Sequence, residues 1–124
     1  MTLDEIMKFL YYQKETYFLD IFGKVKHNRT TLYADRNNCR SERHIEYWLR
    51  LNDMLNVAAF VNGGWQPDWS DSSLKYVFCL QDGEIAVKAV DEPCHFVYFR
   101  SAETAQEAVR IMGKEAVRSV LEGI

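Results

Sequence analysis

The chain predicts an α+β fold: an antiparallel three-stranded sheet over residues 74–100, packed against N-terminal helices and a C-terminal helical pair. Three observations predict it. Leu74, Tyr76, Phe78 and Leu80 alternate with Lys75, Val77, Cys79 and Gln81, a period of two. Asp82-Gly83 follows, a two-residue hairpin signal, because a type I′ turn needs positive φ at both central positions. Ser101 then opens an Ala-rich stretch with Ala105, Ala108, Val109 and Met112 on one helical face, broken at Gly113. Ile85 to Val90 is the return strand and His95 to Arg100 the third, with Asp91-Glu92-Pro93 between them. Ala116, Val117, Val120 and Leu121 form a last short helix.

The N-terminal half predicts helices. Thr2 and Glu5 have capping-box spacing, which satisfies free N–H groups in a first turn. Ile6, Phe9 and Leu10 share a face that Phe18, Ile21 and Phe22 continue, so Thr2 to Phe22 reads as one helix stopped by Gly23. Its aromatic load serves either core packing or an exposed contact surface. Residues 30–34 suit a short strand. Ser41 caps a second helix running to Val61, with a wide apolar arc (Ile45, Trp48, Leu49, Leu55 beside Tyr47, Leu51, Met54, Ala58). Asn62-Gly63-Gly64 ends it, and Trp65 to Ser73 is a loop fixed by Pro67.

Composition narrows the class. With 124 residues, 48% apolar and 14% aromatic, the chain can bury one core, so residues 1–124 are expected to form a single domain. Within it, 1–61 is a helical half with a basic segment and 62–124 a sheet-plus-helix module. No apolar run reaches the roughly 18–20 residues of a membrane span, and the acidic start Met1-Thr2-Leu3-Asp4-Glu5 does not read as a signal peptide. The expected location is cytoplasmic, without a membrane partner. Cys39, Cys79 and Cys94 have no CxxC spacing and fit reduced thiols rather than a disulfide framework.

Charge is uneven. Residues 24–43 hold six basic residues against Asp35 and Glu42, a net +4, so the remaining residues carry −7 of the total −3. Arg29, Tyr33, Arg36, Arg40 and Arg43 are the candidate partner-binding residues. The segment suits a solvated face, an acidic protein surface or nucleic-acid phosphates, although repulsion from the acidic remainder opposes nucleic acid elsewhere on the chain.

No catalytic pattern survives. Cys39, Cys79, Cys94, His27, His44 and His95 lack the paired short spacing of a structural zinc site, and adjacent Cys94-His95 on a strand would point to opposite faces. Pro67-Asp68 begins like a metal-dependent nuclease, but Lys75 and Lys88 are preceded two places earlier by Ser73 and Ala86 rather than by a carboxylate. Asn62-Gly63-Gly64 lacks the glycine spacing and Lys-Ser/Thr of a phosphate loop. The expectation is a non-enzyme with no metal and no cofactor. Trp65 and Trp69 either wedge a small core or anchor a partner.

The run Asn62-Gly63-Gly64-Trp65-Gln66-Pro67-Asp68-Trp69, then Lys75-Tyr76, then Val97-Tyr98-Phe99-Arg100-Ser101, Ala105, Ala108, Ile111 and Gly113, resembles a C-terminal module of small phage and prophage proteins. The resemblance covers about half the chain. It implies a shared scaffold behind a variable N-terminal region and offers no catalytic residue to carry over. Small phage proteins of this build often bind a host protein. The resemblance therefore implies an inhibitor of a bacterial defence effector, of the anti-CRISPR kind, acting on a Cas nuclease in the host cytoplasm. A phage accessory protein that binds nucleic acid through residues 24–43 is the alternative.

Overall fold

The computed structural model describes residues 1–30, 33 and 37–124. The elements run α1 (Leu3–Tyr11), β1 (Lys14–Leu19), β2 (Val25–Thr30), α2 (Glu42–Asn62), β3 (Lys75–Gln81), β4 (Glu84–Val90), α3 (Ala102–Met112) and α4 (Lys114–Glu122). The chain divides into two compact units, Met1–Trp48 and Leu49–Gly123, and the boundary falls within α2.

In the first unit, Thr2 Oγ1 accepts from Glu5 N and Glu5 Oε2 accepts from Thr2 N, both at 3.1 Å, which closes the expected capping box. The helix does not continue to Phe22. It ends at Tyr11, Gln13 adopts φ +55, and the chain reverses into β1. Residues 14–30 are an antiparallel hairpin, with Lys14 opposite Thr30 and Leu19 opposite Val25. Two forces override the helical spacing. Thr16, Tyr17 and Phe18 are β-branched or aromatic and suit a pleated strand. Tyr17 also exchanges both backbone hydrogen bonds with Cys39, at 3.0 and 2.7 Å, a partner no local pattern announces. Asp20 sets the turn: its carboxylate accepts from Phe22 N at 2.8 Å and Lys24 N at 2.9 Å, and Gly23 supplies φ +74. The core here is Tyr11, Thr16, Asn38, Cys39 and Ile45. Thr16 Oγ1 is fully buried and bonds Asn38 Oδ1 at 3.1 Å and Cys39 O at 3.3 Å. The strand expected at 30–34 lies largely outside the described residues.

In the second unit, β3 and β4 form the expected hairpin, with Asp82 at φ +52 and Gly83 at φ +79 in its turn. α3 and α4 pack on both strands. The core comprises Met54, Ala58, Val77, Phe78, Val97, Phe99, Ala105, Ala108, Val117 and Val120. Ser101 caps α3 through Thr104 N at 3.0 Å, and Gly113, at φ +90, joins α3 to α4.

The three-stranded sheet is not formed. Among the described residues the fold is α+β with four helices and two separate two-stranded antiparallel sheets, β1–β2 and β3–β4. The segment expected as a third strand touches β3 only where Tyr76 and Phe99 exchange backbone bonds at 2.9 and 2.8 Å. Several of its other backbone groups have side-chain partners. Asn62 Nδ2 donates to Tyr98 O at 3.0 Å, and Asn62 Oδ1 accepts from Arg100 N at 3.2 Å. Tyr98 Oη accepts from Cys94 N and His95 N at 2.9 and 2.7 Å, and donates to His95 O at 2.7 Å. These bonds curl residues 94–97 onto Tyr98, so the ladder stops after one rung.

Candidate partner-binding surface

The β1–β2 hairpin organises the exposed side of the first unit. Glu15, Tyr17 and Leu19 share a face with Arg29, His27 and Val25, their register partners. On this face the Tyr17 and His27 rings stack at 4.1 Å and 6°. Glu15 lies 3.4 Å from His27 Nε2 and 3.7 Å from Arg29 Nε. All of β2 from Val25 to Arg29 is exposed. At the turn, Ile21 is 93% and Phe22 78% exposed, beside Lys24 and Lys26. The Lys24 and Phe22 N–H groups and the nearby Lys26 and Lys24 charges outweigh partial desolvation, holding the Asp20 carboxyl below its ordinary range and keeping the turn anionic at its base. Lys26 Nζ is 3.7 Å from that carboxylate.

The candidate residues fall on separate elements. Arg29 stands on β2, and its Nη1 donates to Gln13 O at 3.0 Å. The Tyr33 ring meets Tyr12 edge-on at 5.7 Å, half-buried. The Arg40 N–H donates to His44 Nδ1 at 3.0 Å. Burial, then Cys39, pushes the Tyr11 phenol up, and Arg40 pulls it partly back. Arg43 is exposed in the first turn of α2, where the helix dipole disfavours a cation. Arg36 lies outside the described residues.

Sequence reasoning missed the hairpin, and with it Ile21, Phe22, Lys26 and His27. The signal was present: Asp20 and Gly23 bracket a turn, and Lys24 to Arg29 places cations along a short extended run.

The second unit joins Asn62, Trp69, Lys75 and Tyr98 of the Asn62–Gly113 pattern into one framework. Lys75 Nζ is buried against Asp71 Oδ1 at 3.0 Å and Ser73 O at 2.9 Å, and lies 5.0 Å from the Trp69 ring centroid. Trp69 meets Tyr98 edge-on at 4.9 Å, and Tyr98 is held by Asn62. Trp65 instead lines an open groove of about 350 Å³ with Leu55, Pro67, Phe96 and neighbours. The two tryptophans thus differ: Trp69 belongs to the framework, and Trp65 borders a groove.

Cys39 is buried, which pushes its thiol up, whereas Cys94 is exposed. Among the described residues, no group of three or more His, Cys, Asp or Glu side chains is placed to hold a metal ion, and no helix is long and apolar enough to cross a membrane. No protein-family model, curated protein or solved structure matches the chain.

Proposed function

We propose that this chain is a phage-type binding protein that inhibits a bacterial defence effector, most directly a Cas nuclease, by occupying its surface rather than by chemistry. The observation that carries the binding role is the hairpin turn, where Ile21 and Phe22 stand exposed beside Lys24 and Lys26. Two large apolar side chains at a turn add nothing to their own core. Burying them against a partner contributes about 1.5–3 kcal/mol each. The cations around them favour a partner with an acidic rim. The choice of a defence effector rests on the resemblance of residues 62–113 to phage and prophage modules.

Co-elution of the full chain with a panel of CRISPR effectors, and with labelled DNA and RNA, at two salt concentrations tests this reading. An effector complex should form with the wild-type chain and weaken at least about tenfold in Ile21→Asp and Phe22→Asp, with unchanged melting of the free protein. Binding to bare nucleic acid that collapses at higher salt would replace it with the accessory-protein reading, since phosphate contacts release counterions. Binding to neither would remove the assignment.

A further inference from the structure

Among the described residues, the outer edge of β2 is an open hydrogen-bonding edge, and its register shows which groups it offers. Tyr17 exchanges both backbone bonds with Cys39, on the side of β1 away from β2. Leu19 does the same with the Asn37 side chain, its N–H donating to Oδ1 at 3.3 Å and its carbonyl accepting from Nδ2 at 2.6 Å. Tyr17–His27 and Leu19–Val25 are therefore non-hydrogen-bonded pairs of the ladder, and Glu15–Arg29 follows by alternation. β2 holds β1 through Lys26, Asn28 and Thr30. The backbone N–H and C=O of Val25, His27 and Arg29 point away from the hairpin. Asn28 Oδ1 covers the Arg29 N–H at 2.8 Å. Among the described residues, nothing bonds the outward groups of Val25 and His27.

We infer that this edge takes an extended acidic segment of the partner protein as an added strand, a mode that rests on the binding function proposed above. Charge selects the occupant. From Lys24 to Ala34 the chain carries Lys24, Lys26 and Arg29 and no carboxylate. A second copy pairing edge to edge would set these cations against their own kind, which is how charged edges deter self-association. An acidic strand meets the same cations with opposite sign. Main-chain bonds at Val25 and His27 set the register; Lys26 and Arg29, exposed on opposite faces of β2, stand 3.7 Å from Asp20 and Glu15 respectively and would exchange these in-chain carboxylates for those of the added strand.

The test titrates isotope-labelled full chain with an end-capped peptide of alternating glutamate and valine. Two companion peptides are used: one with lysine in place of glutamate, one N-methylated at alternate residues. The glutamate peptide should give saturable shifts centred on Val25–Arg29 and slow amide exchange at Val25 and His27. Lys26→Glu should weaken it about tenfold, and the lysine and N-methylated peptides should not bind. Val25→Pro, which removes an outward N–H without touching the ladder, should weaken it as well. Equal binding of the N-methylated peptide would reduce the effect to charge attraction and overturn the inference. So would shifts outside the hairpin, no saturable binding, or protection of these amides that grows with protein concentration alone, the mark of a second copy. An effector complex lost in the Ile21 and Phe22 variants, with no peptide binding at β2, would sink this inference and leave the proposed function standing.

Discussion

Lys75 Nζ lies 3.0 Å from Asp71 Oδ1, with the lysine side chain 1% exposed and the aspartate half-exposed. The pair is asymmetric: a buried cation is held by an anion that still touches water. Ser73 O supplies a second acceptor, and the Trp69 face borders the ammonium. A buried lysine is tolerated because its donors are satisfied and its stem packs at the start of β3.

Replacing Lys75 therefore destabilises the second unit. Lys75→Ala removes charge-assisted bonds and leaves space beside Trp69, with an expected loss of about 2–3 kcal/mol. Lys75→Met keeps the stem and should lose less. Urea titration followed by tryptophan fluorescence checks both. Equal stability in Lys75→Ala and wild type would show that the cluster contributes nothing.

Asp71 gives the unit an acid-side signature. The Ser73 hydroxyl first, then Lys75 and the Ser73 N–H, hold its carboxyl down from 3.8 to about 2. A group whose folded value lies below its unfolded one contributes stability that is present above the unfolded value and lost as pH falls toward the folded one. The urea midpoint should therefore drop between about pH 4 and pH 2. Asp71→Asn should flatten that drop. A wild-type curve that the variant reproduces would exclude this carboxylate as its source.

Asn62 stands in for a missing strand partner. It is 5% exposed and bonds both Tyr98 O and Arg100 N. Asn62→Ala leaves these backbone groups without their partner, at a cost of about 2–3 kcal/mol. Asn62→Asp keeps only the acceptor toward Arg100 N and should fall between the two. Thermal melting of the three proteins orders them.

The thiols report the first unit separately. Cys94 is exposed and should be alkylated quickly in native protein. Cys39 is buried, with its thiol pushed up by desolvation, so it should react only when the first unit opens. Mass spectrometry of timed alkylation, across a urea series, reads that opening. Fast native labelling of Cys39 would contradict the packing around Tyr11 and Thr16.

Several elements were legible in the residues because their causes are local. Thr2 with Glu5, Ser101 with Thr104, and the break at Gly113 satisfy helix-end groups from a few residues away. The β3–β4 hairpin needs only an alternating pattern and a turn that accepts positive φ at Asp82 and Gly83. The candidate arginines were legible as charge, but not as a surface. Charge density does not say that Arg29 lies on strand β2 while Arg40 and Arg43 flank the start of α2.

Tertiary structure alone decided the rest, through partners distant in sequence. Residues 14–19 spell a helical stripe and a strand equally well, and Cys39 selects the strand by taking both backbone bonds of Tyr17. Residues 95–100 spell a third strand, yet Asn62 and the Tyr98 hydroxyl take the groups a ladder needs. Local propensity differs by little between such alternatives, whereas a buried backbone group without a partner costs more than that difference. The residues by themselves determined the α+β class, the capped helices and the Asp82-Gly83 hairpin. The folded chain decided where the remaining backbone hydrogen bonds go, and so which strand edge and which turn stand exposed.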